Sequence, residues 1–157
     1  MDKSEPIRKR IRLETNVYAQ PGMMCSITIA VQHRRRIFDT PSVASAAVDV
    51  LVRHANTTGV PIYAFCIMPD HVHLVLAPSD NRDITAFVGQ FKSLVQREVW
   101  RLGISGTFWQ RSYWDHFLRA EEDLNTVVAY VLGNPVRAGM VDDWRDYPYS
   151  GSLVFDL

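Results

Sequence analysis

Apolar residues recur along the first half of the chain with two different spacings. Met23 to Val31 is rich in Ile, Val and Met, which favours a strand. Thr40-Pro41 is typical of a helix start, the apolar positions from Val43 to Leu51 keep helical spacing, and Thr57-Thr58-Gly59 ends the helix. Ile62 to Met68 is continuously apolar, which indicates a strand covered on both faces.

The second half of the chain continues with elements of the same two kinds. Pro69-Asp70 predicts a tight turn, so the next strand forms a hairpin with the strand before it. The predicted elements after that turn are a strand at His71–Ala77, a helix from Ile84 to about Leu102-Gly103, a strand at Ser112–Leu118, and a helix with its apolar stripe at Leu124–Val131. Gly133-Asn134-Pro135 ends the last helix, and the tail from Trp144 to Leu157 is aromatic and irregular.

The order of these elements predicts the fold class. Strand, helix, strand, strand, helix, strand is the split βαβ order of a ferredoxin-like α+β fold, βαββαβ, which is one antiparallel sheet with helices on one face. The third helix is then an addition after the last strand. A chain of 157 residues is one domain's worth, so we predict a single domain over 1–157 that begins with a polar, basic and irregular segment at 1–20.

Composition narrows the class of protein. The chain is 47% hydrophobic and 11% aromatic, which is enough for a folded core. No apolar run approaches the ~20 residues of a membrane span and no signal peptide is recognisable, so we expect a cytoplasmic protein with no membrane partner. Cys25 and Cys66 each lie in an apolar segment, and we interpret both as reduced core residues.

The charge distribution is uneven. The 17 basic and 17 acidic residues cancel, whereas a nucleic-acid-binding domain is typically basic. Residues 1 to 36, however, carry eight basic side chains against three acidic ones, a local excess of five. Such runs are also common in solvated tails and loops, so charge alone does not decide between these readings.

His71 and His73 are the first candidates for chemistry. Side chains two apart on a strand project from the same face, so the pair can present two imidazoles to one metal ion. The intervening Val72, with Leu74 and Leu76, then packs on the other face. Taken alone, two histidines at this spacing are more often plain residues of a sheet surface.

Tyr130 and Asn134 are four apart on the third helix and flank its apolar stripe. A tyrosine there can act as a nucleophile, and an amide oxygen can complete a metal shell. The alternative is a tyrosine at the rim of the core and an asparagine that caps the helix before Pro135, which itself disfavours helical geometry at Asn134. His116, at alternate spacing from Trp114 and Leu118, is interpreted as structural, and a supporting role beside the site residues is the alternative.

Three runs together resemble a known family. Met68 to Leu76 (MPDHVHLVL) resembles the histidine-hydrophobe-histidine motif of the single-tyrosine HUH transposases. Phe108 to Arg119 (FWQRSYWDHFLR) resembles their strand region before the tyrosine helix, and Tyr130 to Gly139 (YVLGNPVRAG) resembles that helix. The branch that matches is the REP-associated tyrosine transposases, in which an Asn-Pro pair follows the tyrosine at this distance. The resemblance runs from about residue 20 to residue 152 and keeps the order of the motifs.

The resemblance implies an activity and a cofactor. Tyr130 is expected to attack a phosphate of single-stranded or hairpin DNA, giving a 5′-phosphotyrosine and a free 3′-hydroxyl. His71, His73 and Asn134 are expected to bind Mg²⁺ or Mn²⁺, which acts as a Lewis acid on the phosphate. The covalent linkage can be reversed by another 3′-hydroxyl, so joining needs no ATP. Relatives include monomers and homodimers, and the sequence leaves open which of the two this chain forms.

Cationic side chains are candidates for holding DNA phosphates. They are Arg34, Arg35, Arg36, Lys92, Arg97, Arg119 and Arg137. Trp109, Tyr113 and Trp114 are candidates for stacking with bases, or else buried core rings. Two other functions stay open for a chain with these motifs: a catalytically silent DNA-binding regulator of the same fold, and a small metal-dependent hydrolase that uses water as its nucleophile.

Overall fold

The polypeptide is described by a computed structural model over residues 23–119 and 123–157. Five strands form one antiparallel sheet in the order β4-β1-β3-β2-β5. The strands are β1 (Cys25–Ala30), β2 (Ile62–Met68), β3 (His71–Leu76), β4 (Trp114–Phe117) and β5 (Ser150–Gly151). In this order β3 is the central strand, and both of its edges are hydrogen-bonded to neighbours.

Two long helices cover one face of the sheet. They are α1 (Pro41–Thr58) and α2 (Ile84–Arg101), which pack against each other. Pro41 stands at the first turn of α1, and Gly59 ends that helix with a φ of 71°, a left-handed conformation that glycine adopts without strain. Asp83 caps α2 by accepting a hydrogen bond from the Ala86 N–H at 2.6 Å.

The main core lies between these helices and the sheet. Its largest members that are fully buried are Phe87, Phe91, Phe108, Ile27, Ile29, Leu51, Ile62, Ile67, Leu74, Leu76 and Ile84. Because strand side chains alternate, each strand gives only every second residue to this core. Val72, Leu74 and Leu76 of β3 point into it, which confirms the predicted alternation and leaves His71 and His73 for the opposite face.

A smaller cluster covers part of that opposite face. The helix α3 (Leu124–Leu132) and the short helix α4 (Asn134–Arg137) pack on β2, and α3 also contacts β3. Val128, Val131 and Leu132 meet Ala64 and Cys66 there. The 3-10 turn Trp144–Asp146 leads from α4 towards β5, and Tyr147 donates a hydrogen bond to the buried carbonyl of Ile67. Sheet residues on this side are therefore only partly covered.

The predicted βαββαβ order and the α+β class are confirmed, and the third helix is present. Two details differ from the sequence prediction. The tail is not wholly irregular, because Ser150–Gly151 adds a fifth strand to the edge at β2. The strand expected at Ser112–Leu118 is shorter and begins at Trp114. The basic segment at 1–20 lies outside the described residues.

Both cysteines are free and buried, as expected for core residues. Within the described part of the chain, no helix combines the length and the hydropathy that crossing a bilayer requires.

Candidate active site

The register of the sheet places the histidine pair. His71 and His73 project from the face that α3 and α4 cover in part, and both are half-buried. His73 stands between Thr28 of β1 and Cys66 of β2, the residues that pair with it across the sheet. Since β3 is hydrogen-bonded on both sides, the backbone beneath the two imidazoles is held in place.

Each imidazole is oriented by a neighbouring oxygen. The Nδ1–H of His71 donates to Oδ1 of Asp70 at 2.6 Å, and Nδ1 of His73 lies 3.0 Å from Oγ1 of Thr28. The two Nε2 atoms are 2.9 Å apart, and the rings stand at 89° to each other. With His71 protonated on Nδ1, the Nε2–H of His73 donates to His71, and Nδ1 of His73 accepts from the Thr28 hydroxyl. The two Nε2 atoms therefore face each other at hydrogen-bond distance.

This arrangement fits a divalent metal ion. Two adjacent ligands of an octahedral ion, each at about 2.1 Å, stand about 3.0 Å apart. The Nε2 atoms are separated by 2.9 Å, and each ring is already oriented by an oxygen on its other nitrogen, as metal-bound histidines are. Such an ion would replace the bond between the two Nε2 atoms, and the Thr28 hydroxyl would rotate to accept from Nδ1 of His73.

Burial keeps His73 uncharged. It lowers the pKa of His73 to about 3, and the electrostatic effects of His71 and Arg137 act in the same direction, while Asp70 opposes them. A neutral imidazole has the lone pair that a metal ligand needs. On the other side of His73, burial raises the pKa of the Cys66 thiol to about 12, so this neighbour is a protonated core thiol.

Tyr130 lies on α3, the helix that covers this face. Its side chain is 63% exposed, so it lies further from the core than the rim position that helical spacing predicts. The guanidinium carbon of Arg137 stands 3.9 Å from the centroid of its ring. The same guanidinium donates through Nη2 to the backbone carbonyl of Tyr130 at 2.6 Å, and its charge reaches His73. Arg137 thus contacts the tyrosine and lies within electrostatic range of His73.

Asn134 is not on the tyrosine's helix. The helix α3 ends at Leu132, and Asn134 begins α4 after Gly133, so the prediction of two residues one turn apart on a single helix is wrong. Oδ1 of Asn134 accepts a hydrogen bond from Nη2 of Arg137 at 3.1 Å. Its Nδ2 is buried and has no partner among the described residues. The amide oxygen retains a second lone pair, so the group has the donor type that a metal shell requires.

Gly133 is what allows Arg137 to fold back over this junction. A Cβ at position 133 would lie 2.9 Å from Nη1 of Arg137 and 3.1 Å from the Ala129 carbonyl oxygen. The close approach of the arginine therefore depends on the absence of a side chain at position 133. Among the described residues, no group of three or more His, Cys, Asp and Glu side chains is arranged to hold a metal ion. A third protein ligand beside His71 and His73 would therefore have to be of another type, such as the amide of Asn134.

The predicted DNA-binding cations differ in their surroundings. Arg34 and Arg137 lie near the histidines, since Nη1 of Arg34 is 3.8 Å from Oδ2 of Asp70. Arg36 pairs with Asp39 at 3.0 Å. Arg35 is exposed in the turn after β1, and Arg119 is exposed just beyond β4.

Lys92 and Arg97 lie on α2, beyond the other face of the sheet. The ammonium of Lys92 donates to the backbone carbonyl of Gln110 at 2.7 Å, whereas Arg97 is exposed. The structure therefore does not bring these two cations to the histidines. Trp109 and Tyr113 are buried core rings, but Trp114 pairs with Thr28 on the histidine face and is exposed, so its ring is available for stacking.

Two functional candidates, Asp70 and Thr28, are absent from the sequence prediction. Asp70 immediately precedes His71, and a carboxylate at that position could have been recognised as a partner for the imidazole. Thr28 is 45 residues from His73 along the chain, and only the pairing of β1 with β3 reveals the contact.

Comparison with known proteins identifies the class. The model of the IS200-like transposase family matches residues 19–134, so the chain belongs to that family. Its similarity within the family is to REP-associated tyrosine transposases. A Haemophilus influenzae protein assigned to them is 33% identical over 98 residues, covering 55% of this chain and 56% of that protein. The REP-associated tyrosine transposase of Escherichia coli K12 is 27% identical over 89 residues, covering 57% and 52%. The chain thus spans about half the length of these relatives.

Solved structures support the fold. A REP-associated tyrosine transposase bound to a REP hairpin superposes with a TM-score of 0.70 at 21% identity, over 91% of this chain and 82% of that one. A Deinococcus radiodurans R1 protein described as a candidate transposase gives a TM-score of 0.53 at 23% identity, over 80% and 97%. Both likenesses confirm the α+β architecture.

Proposed function

We propose that this protein is a metal-dependent transposase of the HUH class that cleaves and rejoins single-stranded DNA at hairpin ends through a 5′-phosphotyrosine. The observation that carries the proposal is the approach of the two Nε2 atoms to 2.9 Å, beneath the helix that bears Tyr130. The hairpin as substrate is suggested by the related transposase solved with a REP hairpin. DNA transposition, or the mobilisation of repeated elements, is the process this activity would serve.

The residues divide the work between binding and attack. His71, His73 and the amide oxygen of Asn134 would hold Mg²⁺ or Mn²⁺, whose contribution is to polarise the scissile phosphate as a Lewis acid. Asp70 and Thr28 orient the two imidazoles through their Nδ1 atoms. A phosphate beside this pair would also come under the positive potential of Arg34 and Arg137.

Tyr130 is the nucleophile in this proposal. Its phenolic oxygen attacks the phosphorus, and the bond from phosphorus to the 3′ oxygen breaks. The phenol loses its proton as the tyrosyl phosphate forms, and the departing 3′ oxygen takes up a proton to become the hydroxyl. The products are DNA joined through its 5′ phosphate to Tyr130 and a strand with a free 3′-hydroxyl. Attack by a second 3′-hydroxyl reverses the step and releases the tyrosine, so bond energy is conserved. Arg137 stacks on the ring at 3.9 Å and limits its freedom.

The structure also bears on how the site is assembled. The helix that carries Tyr130 packs on the histidine face of its own chain. This packing supports a site built within one chain, which a monomer could use. Measuring the molecular mass in solution, and mixing Tyr130→Phe with His71→Ala protein, tests this: inactive mixtures support the single-chain site, and restored activity would show exchange between chains.

The direct test is the covalent adduct. We expect the native protein, incubated with a labelled hairpin oligonucleotide and Mn²⁺, to give a labelled band that survives denaturing electrophoresis. Tyr130→Phe should abolish the band and keep DNA binding, while the matched control Tyr63→Phe should leave it unchanged. Binding without any adduct in the native protein would instead favour a catalytically silent regulator. Cleavage that is undiminished in Tyr130→Phe would favour a hydrolase that uses water.

A further inference from the structure

A groove runs along the outer side of α2, beyond the face of the sheet opposite to the histidines. Two cavities of about 470 and 440 Å³ form it, and both are lined by Gly89 and Ser93, so they join at the middle of the helix. Arg82 and Arg97 line the first cavity, and Arg111 lines the second. The helix of 18 residues is about 27 Å long, so the groove is an extended feature rather than a closed pocket.

The lining is cationic and amide-rich. No acidic side chain occurs among the described residues that line either cavity, although the chain as a whole has no net charge. The side chains that can donate hydrogen bonds include Gln90 in the first cavity and Gln96 and Gln110 in the second. A lining of guanidinium and amide donors without carboxylates is what a phosphate backbone needs.

The arginines of the first cavity are not used by the fold. The Nε of Arg82 is buried without a hydrogen-bond partner among the described residues, and Arg97 forms no ion pair with any of them. A buried donor without a partner is costly unless a water or an anion accepts from it. Lys92 differs, because its ammonium donates to the Gln110 and Arg111 carbonyls and so builds the wall of the second cavity.

One end of the groove adjoins the proposed active site. Gln32 lines the second cavity, and its N–H donates to the Phe108 carbonyl at the end of β1. The preceding residue, Val31, donates to the carbonyl of Asp70, the residue that orients His71. A DNA strand that extends from the histidine pair around this end of the sheet would therefore meet the groove directly.

We propose that this groove binds the phosphate backbone of the DNA outside the cleavage site, so that the hairpin stem lies along α2 while a single-stranded flank reaches the histidines. This inference rests on the proposed function. Each strand of duplex DNA places one phosphate per about 3.4 Å, so a face of this length meets several phosphates. Gly89 has open space where a Cβ would stand, which lets a DNA backbone approach the helix closely.

Gly89 gives the sharpest test. Gly89→Glu places a carboxylate at the junction of the two cavities, and the open space there accommodates its Cβ. Because glycine is a poor helix former, the melting temperature should stay the same or rise. We expect affinity for a fluorescein-labelled hairpin with single-stranded flanks to fall at least tenfold at about 0.1 M salt. The neutral control Gly89→Gln, similar in size, should lose much less, and equal losses in both variants would overturn the proposal.

Salt dependence gives a second readout that a folding defect does not imitate. Arg82→Gln with Arg97→Gln should reduce the slope of log affinity against log salt by about 1.8, or about 0.9 for each lost phosphate contact. The charge-matched double variant Arg101→Gln with Arg145→Gln, whose arginines pair with Glu98 and Asp143, should keep the native slope. The same slope in both double variants would overturn the proposal.

Adduct formation separates this inference from the proposed function. With an oligonucleotide that consists of the flank alone, the groove variants should form the covalent adduct as the native protein does. Selective loss of adduct on this short substrate would place the groove residues in the cleavage step and overturn the proposal. If the native protein itself forms no adduct, but the salt dependence of DNA affinity changes as expected in the arginine double variant, the proposed function is refuted and DNA binding in the groove is still supported.

Discussion

Thr28→Val removes the hydroxyl that faces Nδ1 of His73 at 3.0 Å and changes little else. Valine has nearly the same shape as threonine and suits a strand, so β1 and its pairing with β3 should persist. The Nδ1–H of a metal-bound His73 would then face a methyl group. A half-buried donor would be left without an acceptor, and the ring would lose the contact that fixes its orientation.

The size of the effect follows from the role of such partners. Loss of an oxygen that orients a metal-bound histidine typically lowers metal affinity 10- to 100-fold, which is about 1.4 to 2.7 kcal/mol. Thr28 is a neutral acceptor at 3.0 Å, so we expect a loss near tenfold. The Asp70 carboxylate is charged and lies 2.6 Å from Nδ1 of His71, so Asp70→Asn should come closer to 100-fold.

Titration with Mn²⁺ measures this loss of metal affinity without any DNA, followed either by calorimetry or by the electron paramagnetic resonance signal of the free ion. Thr28→Ser retains the hydroxyl and should recover most of the affinity. Ser26→Ala serves as a matched control, because Ser26 lies on the same strand and the same face but pairs with Val75. Native affinity in Thr28→Val would refute the reasoning, since the ion would not depend on the orientation of His73. Equal losses in the valine and serine variants would attribute the effect to packing.

Three further predictions concern the surroundings of this pair. Gly133→Ala should displace the Arg137 guanidinium from the Tyr130 ring, because the new Cβ would lie 2.9 Å from Nη1 at the flexible end of the arginine. The yield of covalent adduct should fall about tenfold, while the free energy of unfolding in urea changes by less than about 1 kcal/mol. Full activity in this variant would contradict the role of the arginine. In EDTA, the free energy of unfolding should fall by about 2 kcal/mol from pH 7 to pH 5. The reason is that His73 takes up a proton below about pH 6.5 in the unfolded chain and only near pH 3 in the folded protein. The variant His73→Gln should lack this part of the pH dependence. Tyr147→Phe should cost about 1 to 3 kcal/mol in urea unfolding, since a buried carbonyl loses its donor; a change within error would show that water replaces the hydroxyl.

The core elements could be predicted from the sequence because burial leaves a periodic trace. The strand Ile62–Met68 contributes to apolar clusters on both faces of the sheet, as its unbroken apolar run indicated. The strand Ser150–Gly151 has no such trace, being two small residues at an edge. Its pairing is imposed by tertiary contacts around it, including the hydrogen bond from the Ile67 N–H to the Tyr149 carbonyl. Short edge strands of this kind carry too little burial to mark the sequence.

The candidate site divides in the same way. Alternation along one strand predicted that His71 and His73 share a face, because that relation is local. The contact of Thr28 with His73 depends on the register between two strands, which no local pattern encodes. Tyr130 and Asn134 were expected to meet through helical spacing, but Gly133 ends the helix and Arg137 makes the connection instead. The periodicity of a sequence predicts contacts within one regular element, and it does not predict side-chain contacts between residues on either side of a helix end.

The placement of these groups suggests why the histidines and the tyrosine stand on different kinds of element. The histidines stand on the central strand, whose core-facing side chains Val72 and Leu74 are fully buried, so the imidazoles inherit the rigidity of the main core. The tyrosine stands on a helix held by the smaller cluster, and its ring is largely exposed. Under the proposed function, a metal-binding pair must keep its geometry through both cleavage and joining, and the central strand suits that demand. The tyrosine would instead carry a DNA end between those two steps, and its helix is the less extensively packed of the two elements.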